Sequence, residues 1–506
     1  MEKETKKQMS LGIVLSYMVI IVQFVTGLVY TPIVLKSLGQ SQYGIYSLCT
    51  SFMGYLTIMN SGANAAYIRY YVQTKVKDPE RIPGLNGIFL KIFAVLAAIA
   101  LAGGLLIGMF SPQLFGDKIS MMEYAIVKNC FTFLAINSAV QVINCVFSSL
   151  IIANERFIFG KTINLAVSVL NPVLTIPFLL LGFSCVVIIQ IHLFTMIGTF
   201  VFNALYCFTK LQTKFSLKYK DKLLLQNIAQ FAGFIVLQSI MDQVNWQIDK
   251  FILARMQGTS EISVYSVGAT FNKYYITFSS ALSGVFIAQV NRLQASEKQN
   301  KTNELFVQSS RIFAYFIWLF MSAYMIFGHA FVIRWAGAEY DISYTVGWLL
   351  MLPVTASLTM GLAQDIARAM NKHQLQIVIN FAICIINGIV SVPLAMKWGA
   401  LGSAIGTFFA EICMCIIVEP IYYKKILGLN IKELIVDVCK IFRGLILPIV
   451  FGLIIILTNV LQPSYVTIAL WGMLYVGVYM VSMWCFAMNN YEKNFVKKIL
   501  HRMMKK

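Results

Sequence analysis

Charge is scarce in this chain: 12% of its 506 residues are Asp, Glu, Lys or Arg, against 58% that are hydrophobic. A water-soluble surface of this size could not be covered from so small a polar stock. Histidine is rarer still, and His192, His329, His373 and His501 stand too far apart for a zinc motif. The ten cysteines contain no CxxC; Cys413 and Cys415 are the nearest pair, so a disulfide framework or redox centre is excluded in favour of inert buried thiols. A phosphate loop is lacking too. Gly160-Lys161-Thr162 imitates its end, but Glu155 occupies the first glycine's place and no strand precedes it. Connections on the outer side run to about a dozen residues at most, too short for a catalytic module. We therefore expect no enzyme, no catalytic residues, no metal site, no resident cofactor and no ATPase.

What is present is a succession of apolar runs, each long enough to cross a hydrocarbon core of about 30 Å as helix. The expected fold is all-α and polytopic, with about fourteen transmembrane helices at 11–35, 43–71, 85–110, 123–150, 162–181, 185–207, 223–256, 262–288, 305–330, 343–367, 376–396, 400–421, 442–461 and 465–486. The first run lacks a small-residue cleavage site and reads as a retained helix. Basic residues provide an independent test, because short cytoplasmic loops retain Lys and Arg. With the N-terminus inside, the inner segments hold 28 of the 40 Lys and Arg, while the outer connections hold only Lys36, Lys118, Arg334 and Lys397. The bias never inverts along the chain, so both termini are expected in the cytoplasm. The net charge of +19 is spread over these loops and suits anionic membrane lipids rather than nucleic acid.

The chain also repeats itself. Setting residue n against n+219 aligns Lys36 with Arg255, Gly39 with Gly258, Ser41 with Ser260, Ile45 with Val264, Tyr46 with Tyr265 and Ser47 with Ser266. Asn154, Asn164 and Pro177 recur as Asn371, Asn380 and Pro393 at slightly smaller offsets. Six is an even number, so two six-helix lobes form a parallel repeat with a pseudo-two-fold along the membrane normal. The expected division is an N-lobe at 1–210 (helices 1–6), a C-lobe at 211–423 (helices 7–12), and at 424–506 an amphipathic linker, helices 13 and 14, and a basic cytoplasmic tail. Such a repeat suits a cleft between lobes that opens alternately to either side.

The stretches "LGQSQYGIYSL" (38–48), "NSGANAAYIRYY" (60–71), "DKFILARMQGTSEISVYSVG" (249–268) and "WGALGSAIGT" (398–407) carry a resemblance over nearly the whole chain. It resembles the multidrug/oligosaccharidyl-lipid/polysaccharide exporter superfamily and, within it, the polysaccharide repeat-unit flippases. The resemblance implies alternating-access transfer of a polyprenyl-pyrophosphate-linked oligosaccharide from the inner to the outer leaflet of the bacterial plasma membrane. It also implies that helices 1, 2, 7 and 8 surround a central cavity, that helices 13 and 14 form a groove for the lipid tail, and that Na+ or H+ coupling is available. A glycan polymerase and glycosyltransferases are partners in that setting.

Ionisable groups deep in a bilayer cost several kcal/mol unless they face protein or water. Arg69, Lys91, Arg311 and Arg368 fall near inner helix ends, where long stems can snorkel; Arg255 and Lys128 lie near outer ends. Lys273 is deeper, about 18 Å below the outer end of helix 8, and is flanked by Asn272, Tyr274 and Tyr275. Helix 7 presents Gln238, Asp242, Gln243, Asn245, Gln247, Asp249 and Lys250 within 13 positions, a stretch that must face a wet cleft or another helix. Two readings stand. Asp242 or Asp249 could pair with Lys273 merely to hold helices together. Alternatively, Lys273 with Lys250, Arg255 and Arg69 replaces the hydration of a pyrophosphate, while Tyr30, Tyr67, Tyr70, Tyr274 and Tyr275 offer ring faces and hydroxyls to sugars. Asp242, Glu411, Asn380 and Asn387 are the candidate ion-coupling set; a hydrogen-bonded, protonated Glu411 is the plainer alternative.

The segment 424–440 and the tail from Tyr491 read as helices lying on the inner membrane surface. A multidrug/cation antiporter of the same fold is the first alternative function, though it calls for acidic rather than cationic walls. A membrane glycan polymerase is a more distant one.

Overall fold

The computed structural model describes residues 2–116, 119–219, 221–284, 286–295, 299–370, 372, 374–458, 460–490 and 492–494. All of its regular structure, among the described residues, is helical. The helices are α1 (Glu2–Lys77), α2 (Ile82–Met109), α3 (Ser111–Phe115), α4 (Met121–Ala153), α5 (Phe157–Leu180), α6 (Val186–Thr209), α7 (Lys222–Met256) and α8 (Thr259–Gly284), followed by α9 (Ile287–Ala295), α10 (Gln299–Trp335), α11 (Asp341–Thr359), α12 (Gly361–Ala369), α13 (Gln374–Ile412), α14 (Glu419–Ile426), α15 (Ile431–Leu457) and α16 (Tyr465–Ser482). In hydrocarbon a helix satisfies every backbone group within its own segment, which is why apolar runs of this length adopt it.

Ten helical stretches among the described residues are long and apolar enough to cross a membrane. Two of them contain a reversal. In Val14–Tyr55 the backbone turns at Gly39 (φ 68°, ψ 178°), and in Val378–Ile426 it turns at Trp398 and Gly399 (φ 56°). Counting each arm separately gives twelve segments. The remaining two expected from the sequence correspond to α7 and α8, which are 35 and 26 residues long; among the described residues α7 contributes a shorter apolar stretch, Lys222–Leu237, and α8 is not one of the ten.

The chain divides into two units, Met1–Ser263 and Val264–Lys506. In the first, Tyr67, Phe89, Phe93 and Phe147 lead a core drawn from the second arm of α1 with α2, α4 and α6. In the second, Tyr275, Phe306, Phe313, Tyr423 and Leu434 gather α8, α10 and α14 with the start of α15.

Three expectations change. Residues 424–440 do not form a separate surface helix. A turn at Gly428 (φ 66°) ends α14, and 431–440 is the beginning of α15, the same helix that carries the thirteenth apolar run. The tenth expected helix breaks at Met360, giving α11 and α12. Most consequentially, Arg311 does not snorkel. It is 3% exposed and grips Glu492, itself 5% exposed, through Nε–Oε1 at 2.6 Å and Nη2–Oε2 at 3.1 Å. Its remaining donors meet the Asp437 and Ala487 carbonyls, and the Tyr315 hydroxyl completes the clasp on Glu492 at 2.9 Å. The final tail, 495–506, lies outside the described residues, as do Lys118, Asn371 and His373.

Candidate functional site

The arm of α1 that follows Gly39 and helix α7 run side by side in opposite directions. Ser61 bonds Ser239 (2.9 Å), the Gln243 amide donates to the Ser51 carbonyl (3.4 Å), and Lys250 Nζ reaches Ser51 Oγ (3.2 Å). Paired positions sum to about three hundred throughout, the signature of a straight antiparallel pair. Glycine makes the approach possible. A Cβ on Gly62 would stand 2.5 Å from the Ala232 carbonyl oxygen of α7, and just beyond it, where α8 begins, one on Gly44 would run into the Thr259 carbonyl. Part of the polar face of α7 therefore meets another helix rather than lipid.

Along this seam three of the expected cations are strung out rather than clustered. Arg69 is exposed, with its guanidinium 4.6 Å from the Phe231 ring centroid. About 27 Å away along the helix, at 1.5 Å per residue, Lys250 sits beside Ser51. Arg255 lies a turn beyond Lys250, exposed, and points at the Gln113 carbonyl (3.5 Å). Lys250 also lines a cavity of about 300 Å³ walled by Leu48, Phe52, Tyr55, Ile107 and Phe251. Gln247 borders it as well, and its Oε1 is buried with no hydrogen-bond partner among the described residues. Asp249, next to Lys250 in the chain, is 1% exposed.

In the second unit, Lys273 lies midway along α8. Its side chain is exposed and, among the described residues, meets neither a carboxylate nor a hydrogen-bond acceptor. Tyr275, about 200° round the helix, faces the opposite way into the core and bonds Thr355 (2.9 Å) and the Ile317 carbonyl (3.3 Å). Tyr67 is committed likewise, bonding Asn86 (2.8 Å) and stacking on Phe89 at 4.3 Å. The hydroxyls of these two tyrosines are thus engaged inside their own units. Tyr30, Tyr70 and Tyr274 are half-buried.

Of the ion-coupling candidates, the Asp242 side chain lies outside the described residues. Asn387 is 1% exposed and accepts from Ser391 (2.8 Å) and Thr407 (3.3 Å). Asn380 buries an Oδ1 that has no partner among the described residues, and Glu411 accepts the Cys415 thiol at 3.4 Å. Sequence reading passed over Glu419, which is 4% exposed one turn beyond Cys415. It also passed over Glu123, whose only sequence signal is the capping box opened by Ser120.

A profile described as polysaccharide biosynthesis protein matches residues 33–345, well over half of the chain. The chain belongs to the polysaccharide biosynthesis protein family. A candidate O-antigen transporter of Shigella flexneri is 20% identical over 397 residues, covering 77% of this chain and 91% of that protein. Among solved structures, the lipid II flippase MurJ in an inward closed conformation superposes with a TM-score of 0.67 at 15% identity, over 97% of this chain and 99% of that one. An inward-facing multidrug resistance MATE family transporter of the MOP superfamily gives 0.64 at 14% identity, over 82% and 99%. This member of the family is thus a multi-pass helical membrane protein with the fold that MurJ and MATE transporters share.

Proposed function

We propose that the protein is a flippase that carries a polyprenyl-pyrophosphate-linked oligosaccharide from the inner to the outer leaflet of the bacterial plasma membrane, with both termini cytoplasmic. Family membership supports a role in polysaccharide export, as does the description of the Shigella flexneri relative. The observation that carries the reading is Lys273. An ammonium held at mid-helix, exposed and without an acceptor of its own among the described residues, is an unspent cation where an anionic head group must shed water.

In this reading Lys250, on the wall of its cavity, engages the pyrophosphate as a second cation, and Arg69 and Arg255 attract it near the two ends of the seam. Tyr30, Tyr70 and Tyr274, half-buried, offer ring faces to the sugars. Asp242, Glu411, Asn380 and Asn387 serve ion coupling, and glycosyltransferases and a glycan polymerase act before and after transfer. The test is a leaflet-transfer assay on protein reconstituted with a lipid-linked glycan. Lys273→Ala is expected to abolish transfer at unchanged protein abundance. Wild-type transfer by that variant, or efflux of cationic drugs in place of glycan transfer, would remove this reading.

A further inference from the structure

Glu419 opens α14 immediately after the π-helical turn Cys413–Val418. At 4% exposure it has almost no access to solvent, and no ion pair among the described residues reaches it. Its Oε1 receives one long bond, from the Gln376 amide at 3.5 Å. Its Oε2 is buried and meets no donor within hydrogen-bonding distance among the described residues, although the Ser357 and Tyr423 hydroxyls stand next to the carboxyl. A carboxylate left in that position is an uncompensated buried charge; the carboxylic acid is not, and it gains a hydroxyl that can donate.

The surroundings extend the site. Cys415 and Glu411 precede Glu419 by one and two turns on the same helix face, and the Cys415 thiol bonds Glu411 Oε2. The two arms of α13 pair antiparallel, Asn387 with Thr407 and Gln376 with Glu419, so Asn380 falls level with Cys415. Its Oδ1 is a second buried acceptor without a partner among the described residues. The titratable groups facing Glu419 are Glu411 and Cys415 before it and Tyr423 after it; α11 contributes Ser357, α13 contributes Gln376, and α15 sets Leu434 in the core beside Tyr423. None of these is a cation. A π-turn interrupting a helix at such a place is a common mark of a functional position.

We propose that Glu419 is a proton-binding site, occupied at neutral pH, and that it exchanges its proton with Glu411 along this face. The Cys415 thiol is the relay: its S–H proton passes to Glu411 Oε2 as its sulfur takes the proton of the Glu419 O–H, so that Glu419 becomes the anion, Glu411 the acid, Cys415 a thiol again, and the total charge is unchanged. The link between this exchange and glycan movement rests on the flippase reading; the site itself does not.

Infrared spectroscopy of the full chain in lipid nanodiscs tests the site directly. The carbonyl stretch of a protonated carboxylic acid is expected in the wild-type spectrum at neutral pH, titrating away at alkaline pH. It should be lost in Glu419→Gln and retained in Glu411→Gln. A wild-type spectrum without that band, or one unaltered in Glu419→Gln, overturns the proposal; because the wild-type titration stands alone, a variant that fails to fold does not shield it. In proteoliposomes, a pH gradient should accelerate glycan transfer by the wild type, and in Glu419→Gln the ratio of rates with and without the gradient should fall to unity. A wild-type ratio retained by the variant breaks the link to transport. No glycan transfer by the wild type would instead count against the flippase reading, leaving the infrared result to decide the site.

Discussion

Thr259 and Glu123, 136 positions apart, share a hydrogen bond of 2.7 Å from hydroxyl to Oε1. The same oxygen accepts Ser41 at 2.5 Å, while Oε2 caps α4 by accepting the Ser120 amide at 2.8 Å. The polar, glycine-led hinge that the sequence repeats is thus used twice at one carboxylate. Gly39 and Gly258 make their turns with positive φ, and the residues just after them, Ser41 and Thr259, meet on Glu123. Duplication explains why the motif occurs twice, and the clasp explains what both copies do in the first unit.

Removing that carboxylate should loosen three chain segments together. Glu123→Ala is expected to cost about 1.5–2 kcal/mol, the lower part of the range for charged hydrogen bonds because the group is partly exposed. Thr259→Val and Ser41→Ala should each cost less, and each should add little once Glu123 is gone. Thermal unfolding of the detergent-solubilised variants checks this; strict additivity would deny the shared clasp.

The α1–α7 seam should be intolerant of added volume. Gly62→Ala forces a methyl group against the Ala232 backbone of α7, for an expected loss of about 1–3 kcal/mol. Gly198→Ala, where nothing lies within 4 Å, is the control and should change stability little. Equal melting temperatures for the two variants would show that the seam is looser than described.

Breaking the Arg311–Glu492 clasp from one side strands a buried charge. Arg311→Met or Glu492→Gln alone should destabilise by about 3–5 kcal/mol, and the double replacement by less than the worse single variant. Comparing the four proteins in one melting series reveals the coupling. A double variant as unstable as both losses combined would mean the two residues act separately.

Lys250 should contribute to transfer through its charge. Lys250→Met is expected to lower the rate of glycan transfer about tenfold, in keeping with one lost charge-assisted contact. Lys250→Arg, which keeps the charge in a different shape, should recover part of that loss. A methionine variant with full activity would take Lys250 out of the pathway.

Length and composition made the helices legible in advance, because a hydrocarbon environment leaves the backbone almost no alternative. Gly39 and Gly258, which the repeat aligns, sit at turns for a similar reason: a positive φ costs glycine little. Partnerships were less visible. Arg311 and Glu492 are 181 positions apart, and neither residue's local sequence indicates that the other will meet it. Arg311 was therefore expected at a headgroup, as its place near a helix end suggested. Glu419 resembled any carboxylate near a helix terminus until packing left one of its oxygens without a donor among the described residues.

By itself, then, the amino-acid order determined the class of the molecule, its solvent and its internal repetition, all of which depend on properties summed over neighbouring residues. Tertiary structure alone decided which charges are sealed in pairs, which tyrosines are committed to a core and which remain accessible. Those outcomes depend on distances between residues far apart in the chain, and only the packed helices set such distances.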